Sequence, residues 1–322
     1  MTYGLIGEKL GHSYSKIIHE ALGSYKYQLL SLSSQEFEAF VRKRDFKGLN
    51  ITIPYKKAVI PLCDQVSELA QEIGAVNTLY FKDGALWGTN TDYHGFLYAA
   101  KAAGIAFAGK KVLILGNGGT SLTARKAVSD SGAEEILIAS RRDEPGCVSY
   151  EELAFHKDVD VIVNTTPVGM YPGNGRRLID LARFPACCGV MDVIYNPLTT
   201  ELLWQAQERG IPCSNGLPML VAQATAAAEY FLGHSNFQQQ NEKILAMLRA
   251  EIENLVVLGG SEKSAKAAAL KHGKTFSPLP DLSAAVELGK EKGLLIYVPD
   301  GTVYSAEHLR ILTQNGRVLD EH

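Results

Sequence analysis

With 322 residues, 46% of them hydrophobic, the chain can bury a large core and exceeds the size of an ordinary single domain. A formal charge of −3, with no basic stripe interleaved with aromatics, excludes nucleic acid and anionic membranes as expected partners and leaves a small soluble molecule. The amino terminus enters a short apolar strand without a signal-like basic and apolar region, and no apolar run reaches the length of a membrane span. Five scattered cysteines (Cys63, Cys147, Cys187, Cys188 and Cys213) form no CxxC pair, so reduced thiols and a cytoplasmic location are expected, with the Cys187-Cys188 pair read as buried packing.

In chain order, β-rich runs at 3–6, 25–32 and 48–53 alternate with helical patterns. A hairpin follows, in which Asp83-Gly84 suits a tight two-residue turn. These elements predict a first α/β unit ending near Ala99. A second opens with the apolar strand 111–115, runs through Gly116-Asn117-Gly118-Gly119 into a helix over 120–131, and returns as a strand at 135–139. That is the spacing of a βαβ crossover. Further strands at 159–164 and 189–193 extend the sheet, and their unbroken apolar character predicts a parallel sheet covered on both faces. An Ala-rich helix over 219–232 and an amphipathic helix over 241–253 close this part; residues from about 255 onward form a separate tail.

The glycine turn suggests where a ligand could sit. Residues without side chains let backbone N–H groups and a helix N-terminus approach a pyrophosphate. Gly116-x-Gly118-Gly119 lacks the third glycine of the strict dinucleotide fingerprint, since Ser121 holds that place, and a tight connection is the plain alternative. At the end of the next strand, where a site for NAD offers an acidic residue, this chain has Ser140-Arg141-Arg142. Two guanidiniums match a 2′-phosphate, which favours NADP; a solvated charged turn is the other reading, and the neighbouring Asp143 leaves NAD open. In the first unit, Ser13, Ser15, Asn50, Thr52, Lys56, Asn77, Asn90 and Asp92 are hydroxyls, amides and charges suited to a polyhydroxylated acid. Each alone is equally suited to a cap, a turn or the surface. His12, His19 and His94 make no ligand pattern such as HExxH, and no metal is expected.

Taken together, His12-Ser-Tyr-Ser15, Asn50-Ile-Thr-Ile-Pro-Tyr-Lys56, Gly74-Ala-Val-Asn77-Thr78 and Gly88-Thr-Asn-Thr-Asp92 resemble the ordered motifs of the shikimate and quinate dehydrogenase family. Gly116-Asn-Gly-Gly119, Asn164-Thr-Thr166, Asp192-Val-Ile-Tyr195-Asn-Pro197 and Gly216-Leu-Pro-Met-Leu-Val-Ala-Gln223 continue the series, so the resemblance covers roughly residues 3 to 250. It implies an α/β fold. Residues 1–99, completed by the helices of about 219–253, would form a substrate domain, and 100–218 a Rossmann-type NADP-binding domain, with the active site between them. It further implies that Lys56 and Asp92 form the catalytic pair, because oxidising a secondary alcohol removes a proton with the hydride. By the same resemblance Ser13, Ser15 and Tyr195 bind the substrate carboxylate, and Thr52, Asn77 and Gln223 bind the ring hydroxyls. Gly116, Asn117, Gly118, Gly119, Thr120 and Ser121 cradle the cofactor phosphates. Ser140, Arg141 and Arg142 take the adenosine end, and Val193 and Gly216 lie near the nicotinamide. Lys16 departs from the proline common in the family after the second serine.

The tail, 254–322, is similar to a shortened shikimate kinase. The segment Asn254-Leu-Val-Val-Leu-Gly-Gly-Ser-Glu-Lys-Ser264 is strand, phosphate loop and helix start, but Glu262 stands where a phosphate loop needs glycine before Lys263, and Pro299-Asp300-Gly301 replaces a triple-glycine turn. A degenerate kinase remnant is therefore expected, as a small domain of its own or packed on the rest of the chain, without kinase activity and dispensable for the redox reaction; an unrelated α/β appendage is the alternative. The implied activity is NADP-dependent interconversion of 3-dehydroshikimate and shikimate, a step of aromatic amino acid biosynthesis, by a monomer or homodimer. An NAD-dependent enzyme acting on quinate and shikimate, and a non-catalytic shikimate-binding regulator, are the alternatives.

Overall fold

The computed structural model describes residues 2–10, 13–23, 25–141, 144–171, 173, 175–234, 236–271, 276–279, 281–289, 295–299, 301, 303–314 and 316–320. His12, Arg142, Asp143 and Asp300, singled out above, lie outside the described residues.

The first part of the chain alternates β1 (Thr2–Gly7), α1 (Ser15–Ala21), β2 (Tyr27–Ser31), α2 (Ser34–Lys43) and β3 (Phe46–Ile51). It continues through β4 (Gln65–Val66), α3 (Glu68–Ile73), β5 (Thr78–Lys82), β6 (Ala85–Thr89) and α4 (Asp92–Ala102). The strands make one mixed sheet in the order β2-β1-β3-β5-β6-β4. β1 pairs in parallel with β2 and β3, while β5 is antiparallel to both β3 and β6. Asp83 and Gly84 both take positive φ, 52° and 77°, as the tight β5–β6 turn requires. α2 starts on a reciprocal cap: Ser33 Oγ accepts from the Glu36 N–H while the Glu36 carboxylate accepts from the Ser33 N–H.

A second sheet follows, with β7 (Lys111–Leu115), α5 (Gly119–Asp130), β8 (Glu135–Ala139), β9 (Val161–Asn164), β10 (Gly189–Asp192), α6 (Glu201–Glu208) and β11 (Cys213–Ser214). Its order is β11-β10-β9-β7-β8, and every pairing in it is parallel. Val112 and Ile114 of β7 join one buried cluster while Leu113 and Leu115 join another, so both faces are covered, as an unbroken apolar strand demands. Cys187 is buried there, but its neighbour Cys188 is exposed, so only half of that pair is packing.

α7 (Leu217–Leu232) and α8 (Asn241–Ile252) return to the first sheet. Small residues let α7 lie close against α4: a Cβ on Gly95 would sit 2.5 Å from the Met219 carbonyl oxygen, too close for any other residue without a backbone shift. The tail adds β12 (Asn254–Leu258), α9 (Glu262–Lys271), β13 (Phe276–Pro278), α10 (Leu282–Gly289), β14 (Leu295–Val298), α11 (Ala306–Thr313) and β15 (Gly316–Asp320). Its strands form a parallel sheet in the order β13-β14-β12-β15 with a small core on each face. Gly259 and Gly260, at φ 72° and 74°, turn β12 toward α9, where Glu262 is ion-paired to Lys266. Among the described residues no helix is long and apolar enough to cross a membrane.

Candidate active site

A cavity of about 190 Å³ lies between the carboxyl ends of the first two sheets. Ser13, Ser15, Thr52, Lys56, Asn77, Asp92, Tyr195 and Gln223, which the sequence scatters over 211 positions, all line it, together with Thr120, Val193 and Gly216 from the second sheet's side.

The charged pair is formed from the turn after β3 and the first residue of α4. Lys56 follows the buried Tyr55, whose hydroxyl donates to the Leu32 carbonyl at 2.6 Å and anchors that turn. Asp92 opens α4, where the helix N-terminus favours a carboxylate. Lys56 Nζ donates to Asp92 Oδ2 at 2.5 Å, and both side chains are nearly buried. An ammonium and a carboxylate in contact at a cavity wall can exchange a proton with a hydroxyl held beside them.

The other polar residues are set by a buried network. Asn77 Oδ1 accepts from the Thr91 N–H at 2.7 Å and from Thr78 Oγ1 at 2.9 Å, so its Nδ2 faces Gln223 Oε1, 3.5 Å away. Asn77 is thus a wall residue, whereas Asn90 serves α4: its Oδ1 accepts from the Tyr93 N–H and its Nδ2 donates to the Ala75 carbonyl. Asn50 also lines the cavity; it accepts from the Tyr27 hydroxyl at 2.7 Å and donates to Thr78 Oγ1 at 3.1 Å. Sequence reasoning noted Asn50 but gave it no role, although its two-residue offset from Thr52 puts both on one strand face. Met219 was missed as a wall residue; its spacing of four from Gln223 on α7 was the available signal. Ser13 Oγ accepts from the Ser15 N–H at 3.3 Å. Tyr195 is half-buried, edge-on to Tyr14, with its hydroxyl pKa raised by burial.

The glycine turn joins β7 to α5. Gly116 has φ 99°, and a Cβ there would meet Thr166 Cγ2 at 2.7 Å, so glycine is required both by backbone and by space. Around Gly118 and Gly119 the space is open, which leaves the N-terminus of α5 accessible to an anion. This suits a dinucleotide diphosphate. Two of the expected phosphate ligands are differently engaged. Ser121 is fully buried and its hydroxyl donates to the Gly118 carbonyl at 2.7 Å, so it braces the turn from behind. The Asn117 amide donates to the Glu144 carboxylate. Ser140 and Arg141 line a separate cavity of about 320 Å³ with Ser149 and Tyr150, beyond the end of β8. Gly216 cannot carry a side chain: a Cβ would fall 1.9 Å from the Val193 carbonyl oxygen. Behind Val193, Asp192 is buried; burial pushes its carboxyl up to about 6 against hydrogen bonds from Thr200, the Ile194 N–H and Asn164. Among the described residues no group of three or more His, Cys, Asp or Glu could hold a metal ion.

Residues 5–79 match the family model described as shikimate dehydrogenase substrate binding domain. A shikimate dehydrogenase (NADP(+)) of Clostridium perfringens is 35% identical over 266 residues, 77% of this chain and 98% of that protein. One of Thermosynechococcus vestitus is 36% identical, over 71% of this chain and 89% of its own length. Among solved structures, a chorismate mutase/shikimate 5-dehydrogenase fusion protein of Clostridium acetobutylicum superposes with a TM-score of 0.73 at 36% identity, covering 77% of this chain and 96% of that one. Shikimate 5-dehydrogenase of Thermus thermophilus in complex with NADP(H) and shikimate gives 0.68 at 30% identity, over 77% and 99%.

Proposed function

The chain belongs to the shikimate dehydrogenase family, and from that premise we propose that it interconverts 3-dehydroshikimate and shikimate with NADP(H) in the cavity between its first two sheets. The observation that carries the reading is the Lys56–Asp92 contact at 2.5 Å in a cavity whose other polar lining is hydroxyls and amides. The hydride is what NADP(H) supplies when bound.

The protein's own part is proton transfer and orientation. In oxidation the substrate hydroxyl gives its proton to the Lys56–Asp92 pair, and the lysine charge stabilises the developing alkoxide; in reduction the pair returns the proton. Ser13, Ser15 and Tyr195 hold the carboxylate, and Thr52, Asn77 and Gln223 the ring hydroxyls. Gly116 to Thr120 hold the diphosphate, with Asn117 acting through its backbone and Ser121 bracing the turn. Ser140, Arg141 and Arg142 receive the adenosine ribose and 2′-phosphate, and Val193 and Gly216 flank the nicotinamide. We assign residues 1–99 with α7 and α8 to substrate binding, 100–218 to the cofactor, and 254–322 to an appended unit, in a cytoplasmic enzyme that is a monomer or homodimer.

A steady-state assay crossing shikimate and quinate with NADP and NAD tests this. The expected result is the highest kcat/KM for shikimate with NADP. A higher kcat/KM for quinate with NAD would replace the reading by the quinate one, and no turnover with any combination would make the protein a binder.

A further inference from the structure

Residues after about Glu253 were expected to be dispensable for the redox reaction, yet the tail is fastened to the segment that follows the site residue Tyr195. Arg310 of α11 donates from Nη1 to Glu201 Oε1 at 3.0 Å and from Nη2 to Glu208 at 2.7 and 2.9 Å. The two carboxylates are seven residues apart on α6, two helical turns, and so share the face turned toward the tail. One turn of chain later, the Gln314 carbonyl accepts the Thr199 N–H at 2.8 Å, and Gln314 is 1% exposed. Tail and main body therefore meet on residues 199–208.

Those residues lead directly to the cavity. Thr200, between the two contacts, is buried; its hydroxyl accepts from the Leu203 N–H to cap α6 and donates to Asp192 Oδ2 at 2.7 Å. Asp192 in turn accepts from the Ile194 N–H at 3.0 Å and from Asn164 at 3.1 Å. Residues 193–198 are thus spanned between Asp192 at one end and the tail-held Thr199 at the other, and they present Val193 and Tyr195 to the cavity. The main body also holds this span, through hydrogen bonds from the Gly216 and Tyr171 N–H groups to the carbonyls of Ile194 and Asn196, and from the Asn215 amide to that of Leu198. It is the next group, the Thr199 N–H, that goes to the tail.

We infer that the carboxy-terminal unit is a strut for the 193–200 segment, and that Arg310 is a positioning residue for substrate binding in the dehydrogenase reaction. The inference rests on the assignment of Tyr195 to the substrate carboxylate. Arg310 touches neither substrate nor cofactor; it acts by fixing α6 and, through Thr200, the end of the segment that carries Tyr195. The contact is half open to solvent, since the Glu208 side chain is 52% exposed. Its loss is therefore expected to change binding severalfold rather than abolish it.

The test is steady-state shikimate oxidation by the full-length chain and its variants Arg310→Ala, Arg310→Lys, Glu208→Gln and Tyr195→Phe, with melting curves for each. Arg310→Ala is expected to raise the KM for shikimate at least threefold, with kcat and the KM for NADP changed less than twofold. Lysine is a single point charge that cannot fork to both carboxylates, so Arg310→Lys should fall between. Glu208→Gln changes an exposed group and keeps the test open should Arg310→Ala fail to fold; it should raise the same KM in the same direction. An unchanged shikimate KM in folded Arg310→Ala and Glu208→Gln would overturn the strut. So would a parallel rise in both KM values that tracks the melting temperature, the mark of general destabilisation. If Tyr195→Phe raises the shikimate KM while the tail variants do not, the strut fails and the site assignment stands. If Tyr195→Phe has no effect, the site assignment fails and takes the strut with it.

Discussion

Replacing Asp92 by Asn retains the shape of the side chain at the start of α4 and removes its ability to take a proton, so it isolates the chemistry of the pair. General acid–base catalysis contributes about 10²- to 10⁴-fold, equivalent to about 3–5 kcal/mol of barrier. Lys56→Ala should lose as much, since it removes the ammonium that donates to Asp92 at 2.5 Å. Stability responds differently. Breaking a buried ion pair costs about 3–5 kcal/mol because an uncompensated charge stays behind. Here the two side chains keep 13% and 10% exposure on an open cavity, and Asp92 retains the helix N-terminus, so about 1–2 kcal/mol is a better expectation. For a protein of this size that is a fall of a few degrees in Tm. The assay is kcat at saturating shikimate and NADP, alongside a melting curve; near-native KM values would place the loss in the transition state. A folded Lys56→Ala or Asp92→Asn protein with kcat within tenfold of the parent would refute the proton-transfer role.

Replacing Arg141 and Arg142 together by Ala should reduce kcat/KM with NADP at least tenfold more than with NAD, since one charge-assisted hydrogen bond contributes about 1.5–3 kcal/mol. Equal losses with both cofactors would remove the 2′-phosphate role. His19 is fully buried, stacked on Tyr27 at 4.0 Å and hydrogen-bonded to the Tyr25 hydroxyl, and burial lowers its pKa to about 3. A base depressed in this way contributes stability that is fully present above its unfolded value of about 6.5 and is lost as pH falls through that value toward 3. Melting temperature should therefore fall more steeply with acid between pH 6.5 and 4 in the parent than in His19→Gln; parallel slopes would count against the assignment.

Much of the fold could be read from local pattern. β7 and β8 are unbroken apolar runs because they are covered on two faces, and Asp83-Gly84 marks its hairpin because few other pairs tolerate positive φ twice. The strands β4 and β11 have two residues each, too few to show any alternation, and neither was anticipated. The site residues were recognisable only as a set. Asn77 resembles any turn asparagine until the fold brings Gln223, 146 positions away, to face it. The resemblance placed Ser121 among the phosphate ligands, but a motif does not say which way a helical side chain points, and here the Ser121 hydroxyl points at Gly118. Arg310 is 109 positions from Glu201 and reads in isolation as a solvated surface charge, so the link between tail and site was invisible before the sheets were assembled.

The placement of α7 and α8 has a consequence for how the chain is made. Tyr14, Ile18 and Leu22, on and beside α1, share one buried cluster with Leu217, Val221 and Ala224 of α7 and with Ile244 and Leu248 of α8. Their partners therefore leave the ribosome about 200 residues later, on the order of 10–40 s at ordinary synthesis rates. The second sheet is continuous in sequence from β7 to β11 and has its whole complement of strands earlier. Nascent chains thus expose the apolar face of α1 until synthesis is nearly three-quarters complete, so the first sheet, begun before the second, is covered only after the second has all its strands.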